Sequence, residues 1–207
     1  MTYHTTPKMA KRKEAHRTRI LESAIHLFGK EGYHATTVPR IVRQSGSSTG
    51  AFYFYFRNKE DVFAAALKAV GEQVSDALNK PIAAAGDDTV AQMRAAVESF
   101  VHFLADNPAQ ARILIVESSG LTPKLTKVRR SIIASHCRSV EQALSRLPHS
   151  KPDKNLGVVA SCWVGAVHES VYQWLDDPKE RRIPPEVLAK EIACFNLQAI
   201  TAREESV

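Results

Sequence analysis

The stretch that decides the fold is residues 45–59, SGSSTGAFYFYFRNK, in which consecutive aromatic residues follow a small polar turn. Gly46 can adopt the positive φ that a sharp bend needs, and Ser47 or Ser48 can cap a helix that starts after it. The preceding segment predicts a short helix with Thr37 as its N-cap and an end just before Gly46. Two short helices joined by a tight glycine turn predict a helix-turn-helix.

The crowded rings are expected to divide between a core and a binding surface. In a helix over residues 48–55, Phe52 and Phe56 lie four residues apart, which favours packing on one inward side. Tyr53 and Tyr55 project in other directions. A tyrosine hydroxyl on an outer face can hydrogen-bond a phosphate while its ring contacts the sugar.

The positive charge of the chain is concentrated at its N-terminus. The first 60 residues hold eleven Lys or Arg and four acids, and the rest holds seventeen bases and eighteen acids, within a formal net charge of +6. An anionic partner is therefore expected at the N-terminal quarter, and nucleic acid or an anionic surface would satisfy it. A solvated charged face is the alternative interpretation.

Helical periodicity covers nearly the whole chain, and no alternating strand pattern competes with it. We predict an all-α fold of about nine helices. Expected stops are Gly32 for the first helix, Pro81 for the fourth, and a break over residues 148–153. The predicted divisions are a basic, flexible tail at 1–16, a helix-turn-helix domain at 17–60, and a helical ligand-binding and dimerisation domain at 61–207.

The sequence favours an intracellular, cytoplasmic protein with no membrane partner. Three well-separated cysteines and the lack of an apolar N-terminal run predict reduced thiols and no signal peptide. The longest apolar stretch, residues 156–175, is interrupted by His168, Glu169 and Gln173, which makes a membrane span improbable.

No arrangement of residues predicts catalysis, and no cofactor or metal is expected. His136 beside Cys137, or His168 beside Glu169, has no spacing with known chemistry. The chain also lacks a phosphate-binding glycine loop and a paired-histidine zinc motif. We therefore predict that the protein is not an enzyme.

The motif around the glycine turn resembles the N-terminal motif of the TetR family of transcriptional regulators. The resemblance covers roughly residues 17–65 and rests on residues 32–38 (GYHATTV), Ile41-Val42, Gly46, Gly50, Phe52-Tyr53, Phe56 and Lys59. It implies a ligand-responsive regulator, a repressor in most relatives, that binds double-stranded operator DNA as a homodimer and responds to a small, largely apolar effector. The alternative is a helical protein that binds DNA or an anionic surface without sequence preference.

The resemblance implies DNA contacts from both short helices and the start of the fourth. The expected DNA-binding residues are Thr37, Arg40, Ser48, Thr49, Gly50, Tyr53, Tyr55 and Lys59. Thr49 replaces a common lysine and Phe54 a common tyrosine, so base readout is expected to be sparse and DNA shape correspondingly important. The basic tail can either reach the DNA or stay disordered in solvent.

The resemblance also implies a dimer through the last two helices and an effector pocket among the middle ones. Expected interface residues are Ala160, Gly165, Val167, Val171, Trp174 and Phe195, although an intramolecular core would give the same pattern. Expected pocket residues are Met93, Phe100, Phe103, Ile113, Ile133, Cys137, Trp163 and His168. Each of these can instead be ordinary core, and interface hydrogen bonding is the rival role for His168 with Glu169.

Overall fold

The computed structural model describes residues 7–147 and 155–205, with side chains for 11–147 and 155–200, and this part of the chain is helical without a strand. The nine α-helices are α1 (Pro7–Ala35), α2 (Val38–Ser45), α3 (Thr49–Tyr55), α4 (Lys59–Ala84), α5 (Thr89–Asp106), α6 (Pro108–Ala111), α7 (Pro123–Ser145), α8 (Leu156–Asp176) and α9 (Pro185–Glu205). A π-helical segment, Arg112–Glu117, continues α6, and a 3₁₀ turn, Lys179–Arg181, precedes α9. The predicted all-α class is confirmed. The break expected at 148–153 lies outside the described residues.

The helix-turn-helix forms as the capping residues predict. Thr37 precedes α2 in an extended conformation, and Gly46 ends α2 with φ 62°. Ser48 then caps α3 by accepting a hydrogen bond from the Ala51 N–H. Phe52 is completely buried in the same hydrophobic core as Ile41, which fixes α3 against α2 and α1.

The first helix begins earlier than the sequence predicted. A flexible tail was expected over 1–16, but α1 starts at Pro7, so residues 7–16 are helical and only residues 1–6 fall outside the described part. Lys, Met, Ala, Arg and Glu dominate this segment, and all of them favour helix. At the other end Gly32 leaves helical geometry, with φ 85° and ψ 168°, near the predicted stop.

The fourth helix starts where predicted but ends later. Asn58 caps it by accepting from the Asp61 N–H, and acidic residues occupy its first turn. Pro81 does not stop α4, which continues to Ala84. A proline this near a C-terminus removes one backbone hydrogen bond and leaves the rest of the last turn in place.

The C-terminal helices pack around α4 and α5. α4 contacts α1, α5 and α7, while α5 packs on α9 and α7 packs on α8. The π-helical segment lies between the N-terminal helix α1 and the C-terminal helices, because it contacts α1, α4 and α8. No helix in the described part combines the length and apolarity that a membrane crossing requires.

Candidate functional sites

The recognition helix α3 presents an aromatic outer face and an aromatic inner face. Phe52 is fully buried and Phe56 is 4% exposed, so these rings form core as predicted. Tyr53 and Phe54 are 52% and 68% exposed on the opposite side. Large exposed rings are costly to leave in water, which favours a partner at this surface.

The first turn of α3 is open to an approaching partner. Ser48, Thr49 and Gly50 are exposed, and a Cβ added at Gly50 would have no atom of the chain within 4 Å. This end of the helix is the one that a helix-turn-helix directs at base edges. The geometry is therefore compatible with the predicted contacts at Thr49 and Gly50.

The polar residues at the start of α2 are exposed, and one of them is held in place. Thr37 makes no capping hydrogen bond with its side chain. Arg40 forms an ion pair with Glu31, whose side chain is largely buried. Glu31 thus orients the Arg40 guanidinium beside α2 and offsets part of its charge.

Lys59 and Tyr55 make internal contacts that the sequence did not predict. Lys59 Nζ donates to the carbonyls of Tyr33 at 2.9 Å and His34 at 3.3 Å, where cations stabilise the end of α1. The Tyr55 hydroxyl donates to the Lys13 carbonyl at 3.0 Å. Both groups therefore position α1 in this structure, and their phosphate contacts remain predictions.

The N-terminal turns of α1 rest against the helix-turn-helix. His16 Nε2 lies 2.8 Å from Ser47 Oγ, and Lys13 Nζ lies 5.7 Å from the centre of the Phe54 ring. The exposed bases Lys11 and Arg12 occupy the same turns. This extension brings basic side chains beside α3 through a folded element rather than a tail.

A cavity of about 480 Å³ lies between the π-helical segment, α7 and α8. Three of the predicted pocket residues, Ile133, Cys137 and His168, line it. Arg129, which the sequence reading missed, also contributes to the wall. Arg129 precedes Ile133 by four residues, so the helical period places the two on one face. This spacing could have predicted that Arg129 lines the same cavity as Ile133.

A smaller cavity of about 170 Å³ shares His168 with the first. It lies among α4, α5, α7 and α8, and its lining includes Phe100 and Trp163 from the predicted set. His168 stacks on Phe100 with ring centres 5.4 Å apart, and His136 lies 5.8 Å from His168. His168 and Val164 therefore border both spaces.

Three predicted pocket residues line neither cavity. Met93 and Ile113 are buried and Phe103 is partly buried, and all three pack in or against the hydrophobic core. Periodicity identified their inward direction, but it did not distinguish a filled core from a cavity wall.

Burial lowers the basicity of both histidines at the cavities. Burial lowers the pKa of His136, and burial together with the charges of His136 and Arg129 lowers the pKa of His168 to about 4. His168 is therefore neutral near pH 7. In the described ranges no group of three or more His, Cys, Asp or Glu side chains could hold a metal ion.

Most of the predicted dimer residues belong to the core of the chain itself. Ala160, Val167, Val171 and Trp174 are at most 9% exposed within one protomer, so they pack in the core of the chain, and their role in a dimer interface stays a prediction. All four lie on α8, which packs on α7, on α9 and on the π-helical segment. Gly165 and Phe195 remain exposed, Phe195 by 64%.

Other apolar side chains of α8 and α9 are exposed as well, and Gly165 and Tyr172 also line the larger cavity. Val158 and Tyr172 on α8 are 56% and 37% exposed, and Val187 on α9 is 41% exposed. Large apolar side chains exposed on neighbouring helices favour a partner at this surface of α8 and α9.

Glu117 connects the wall of the larger cavity to the part of the chain expected to face DNA, α1–α3, which holds the helix-turn-helix. Ile115 and Val116 line that cavity, and Glu117, the next residue, accepts a hydrogen bond from the Tyr33 N–H at 2.8 Å. Arg112 donates to the same carboxylate at 3.0 Å. A Cβ at position 32 would lie 2.8 Å from this carboxylate and would displace it, and the φ of 85° itself favours glycine there.

Polar contacts at α4 form a second connection. Asp61, in the first turn of α4, pairs with Arg57 and with Lys124 of α7, and these partners lower its pKa to about 2. Glu60 accepts a hydrogen bond from the Thr122 hydroxyl, the N-cap of α7. The start of α4 is thus joined to the start of a cavity-lining helix.

Known proteins share both the sequence motif and the fold. The chain is 25% identical over 162 residues to the HTH-type transcriptional regulator YdgC of Bacillus subtilis, a match covering 77% of this chain and 80% of YdgC. A shorter match, 49% identical over 45 residues, relates it to the HTH-type transcriptional regulator QacR of Staphylococcus aureus and covers 22% of this chain and 24% of QacR.

Solved structures of low identity show the same fold. FadR from Bacillus subtilis in complex with stearoyl-CoA is 17% identical, with a TM-score of 0.75 over 87% of this chain and 97% of that one. FadR from Bacillus halodurans is 19% identical, with a TM-score of 0.74 over 88% and 94%.

Two family models match the chain in succession. The model of bacterial regulatory proteins, tetR family, matches residues 20–66, and that of the tetracyclin repressor-like C-terminal domain matches residues 90–196. Because the second match alone covers half of the sequence and the first contains the helix-turn-helix, the chain belongs to the TetR family of bacterial transcriptional regulators.

Proposed function

We propose that the protein is a homodimeric repressor that binds operator DNA through α2 and α3 and is released by a small, largely apolar effector. The observation that carries this proposal is the outer face of α3, where Tyr53, Phe54 and the turn at Gly50 are exposed. The buried phenylalanines on the inner face hold the helix in place. Family membership supports the regulatory role, and we place the protein in the cytoplasm, where operator DNA is accessible.

The DNA contacts divide into positioning and reading contacts. Thr37, Tyr53 and Lys59 would bind phosphates, while Thr49 and Gly50 would face base edges. Arg40, held by Glu31, would add a fixed cation at the edge of the groove. The small side chains at the first turn favour a contribution from DNA shape.

A homodimer would present two recognition helices to two half-sites. One helix-turn-helix offers few contacts, so paired half-sites about 34 Å or a multiple apart supply the missing affinity. The exposed apolar surface of α8 and α9, with Gly165 and Phe195, supports pairing through these helices.

Effector binding would act on the DNA-facing part through two connections. A ligand that pushes on Ile115 and Val116 would move Glu117 and its bond to Tyr33. Movement of α7 would pull on the start of α4 through Lys124 and Asp61. Either displacement changes the separation of the two recognition helices and weakens operator binding.

The relatives named above are regulators, and we propose that this chain likewise acts by binding rather than by catalysis. Regulation requires sequence preference. The affinity of the full-length protein for DNA upstream of its own gene should exceed that for random DNA of equal length, at fixed salt, by roughly a thousandfold or more. Equal affinities would instead establish a sequence-neutral DNA binder.

Substitution of Tyr53 tests the surface itself. Tyr53→Ala should weaken operator binding by roughly 1–3 kcal/mol and leave the dimer intact. Tyr53→Phe, which keeps the ring, should lose only the part that depends on the hydroxyl. Unchanged operator affinity in Tyr53→Ala would remove this residue from the DNA-binding surface.

A further inference from the structure

Two residues that line the larger cavity each carry a buried nitrogen atom that has no hydrogen-bond partner within the described residues. These atoms are Arg129 Nε on α7 and His168 Nε2 on α8. Buried polar groups are nearly always paired, because an unpaired one loses its bonds to water without replacement. Because both residues line one cavity, a small shift of their side chains would bring these nitrogens to the polar group of a bound molecule.

The charge of Arg129 defines the chemistry of that polar group. Arg129 Nε is a donor only, and its guanidinium stays protonated at any ordinary pH. In the described part of the chain, no carboxylate lies within 4 Å of the Arg129 guanidinium to form an ion pair with it. A partner that accepts hydrogen bonds and carries negative charge would satisfy both requirements.

His168 can complete the recognition of an acceptor. Burial and the neighbouring positive charge keep the ring neutral, so one of its two nitrogens carries a proton. An acceptor placed against Nε2 selects the tautomer that donates from this atom. Arg129 and His168 would then donate to the two oxygens of one carboxylate.

Part of the remaining wall is suited to a hydrocarbon chain, and the hydroxyls of Ser119, Ser161 and Tyr172 lie beside it. Ile115, Val116, Ile133 and Val164 form apolar wall, and a volume of about 480 Å³ lies in the range of small-molecule sites. Glu169 also lines the cavity, but it is exposed and accepts from Gln173 at 2.8 Å, which places it at the outer rim. Its charge would direct an anionic group away from the rim and towards Arg129.

We propose that this cavity binds an amphipathic carboxylate, with the carboxylate on Arg129 and His168 and the apolar chain against the walls formed by α7, α8 and the π-helical segment. The proposal rests on the proposed function, since it names the chemical class of the effector. The ligand would reach Glu117 through its contact with Ile115 and Val116.

Direct binding to the purified full-length protein tests this class. Decanoate, decanamide and decylamine share one chain length and differ in the polar group, and calorimetric titration below their micelle concentrations compares them. We expect decanoate to bind about 10- to 100-fold more tightly than decanamide, because a charge-assisted bond is replaced by a neutral one. Hexanoate and hexadecanoate then measure the length that the apolar wall accepts.

Substitutions on adjacent turns locate the head group. Arg129→Gln should lower the affinity for decanoate about 10- to 100-fold and leave that for decanamide almost unchanged. Arg130→Gln is the matched control, since Arg130 is exposed and lies outside this cavity. His168→Asn should reduce the affinity by a smaller factor. Melting curves of each variant establish that it is folded.

Several outcomes would overturn the proposal. These are equal affinity for decanoate and decanamide, absence of binding by every probe, and equal effects of Arg129→Gln and Arg130→Gln. Preference for decylamine would assign the polar contact to Glu169. Tighter binding of decanoyl-CoA than of decanoate would assign the anion to the phosphates of a thioester ligand rather than to a carboxylate.

Operator binding, measured on the same preparations, separates this inference from the proposed function. If the protein selects its operator but shows no preference for decanoate, the ligand class is wrong and the regulatory role stands. If it binds all DNA equally, the regulatory role itself fails.

Discussion

Replacing Glu117 should weaken the contact between the π-helical segment and the DNA-facing part. The carboxylate accepts from the Tyr33 N–H at 2.8 Å, and its side chain is only 13% exposed. Hydrogen bonds to charged groups contribute about 1.5–3 kcal/mol. Water can reach the partly buried Tyr33, so we expect Glu117→Ala to lower the unfolding free energy by about 1–2 kcal/mol, or Tm by about 2–8 °C.

Hydrogen exchange reports this contact directly. The Tyr33 amide should exchange about 5- to 30-fold faster in Glu117→Ala, the factor that corresponds to 1–2 kcal/mol. Arg112→Ala is the control, because it removes the ion pair to Glu117, whose arginine is 45% exposed, but keeps the Tyr33 bond. That variant should lose less than about 1 kcal/mol. Unchanged exchange at Tyr33 in Glu117→Ala, or equal losses in both variants, would refute the reasoning.

Three further predictions address packing, pH and assembly. Gly29→Ala places a methyl group 2.4 Å from Ala109 Cα, so chemical denaturation should show a loss of about 1–3 kcal/mol, whereas Gly50→Ala meets no atom within 4 Å and should show no such loss. The pKa of His168 falls from 6.5 to about 4 on folding, so the unfolded chain binds this proton first and stability decreases on acidification from pH 6.5 to 4. Chemical denaturation at several pH values should show that His168→Asn loses less stability over this window than the wild type, by at most about 3 kcal/mol, and equal losses would contradict the assigned shift. Phe195→Asp should convert the dimer to monomer in light scattering, and an unaltered mass would exclude this part of α9 from the interface.

The helix-turn-helix could be predicted because short-range chemistry determines it. Gly46 ends α2 with a positive φ, and Ser48 and Asn58 cap the helices that follow them, so each acts on backbone that is close in sequence. The structure places all three as expected. The inward direction of Phe52 likewise follows from helical spacing. The continuation of α4 past Pro81 was not predicted, because the loss of one backbone hydrogen bond does not by itself end a helix. The start of α1 at Pro7 was not predicted, because a segment of moderate helix propensity becomes helical only when packing supports it.

The interface and the cavity could be predicted only in part, because helical periodicity shows which side of a helix is buried but not which element covers that side. Val171 and Phe195 both look like interface residues in the sequence, but the chain covers the first and leaves the second exposed. His168 was recognised as an unusual polar residue on an apolar helix. Arg129 and Glu117 looked like ordinary charged residues, since their partners or neighbours come from other helices.

The long first helix has a consequence for the exchange of parts between regulators. Gly29 lies against the backbone of α6, and Arg112 contacts the Lys30 carbonyl, so the last turns of α1 pack on α6 and the π-helical segment as well as on α2. A hybrid that joins this DNA-reading segment to the effector half of another relative would keep its fold only if the matching surface of α6 travelled with it. Recombination at the apparent boundary near residue 60 would therefore break these contacts and yield few functional chimeras.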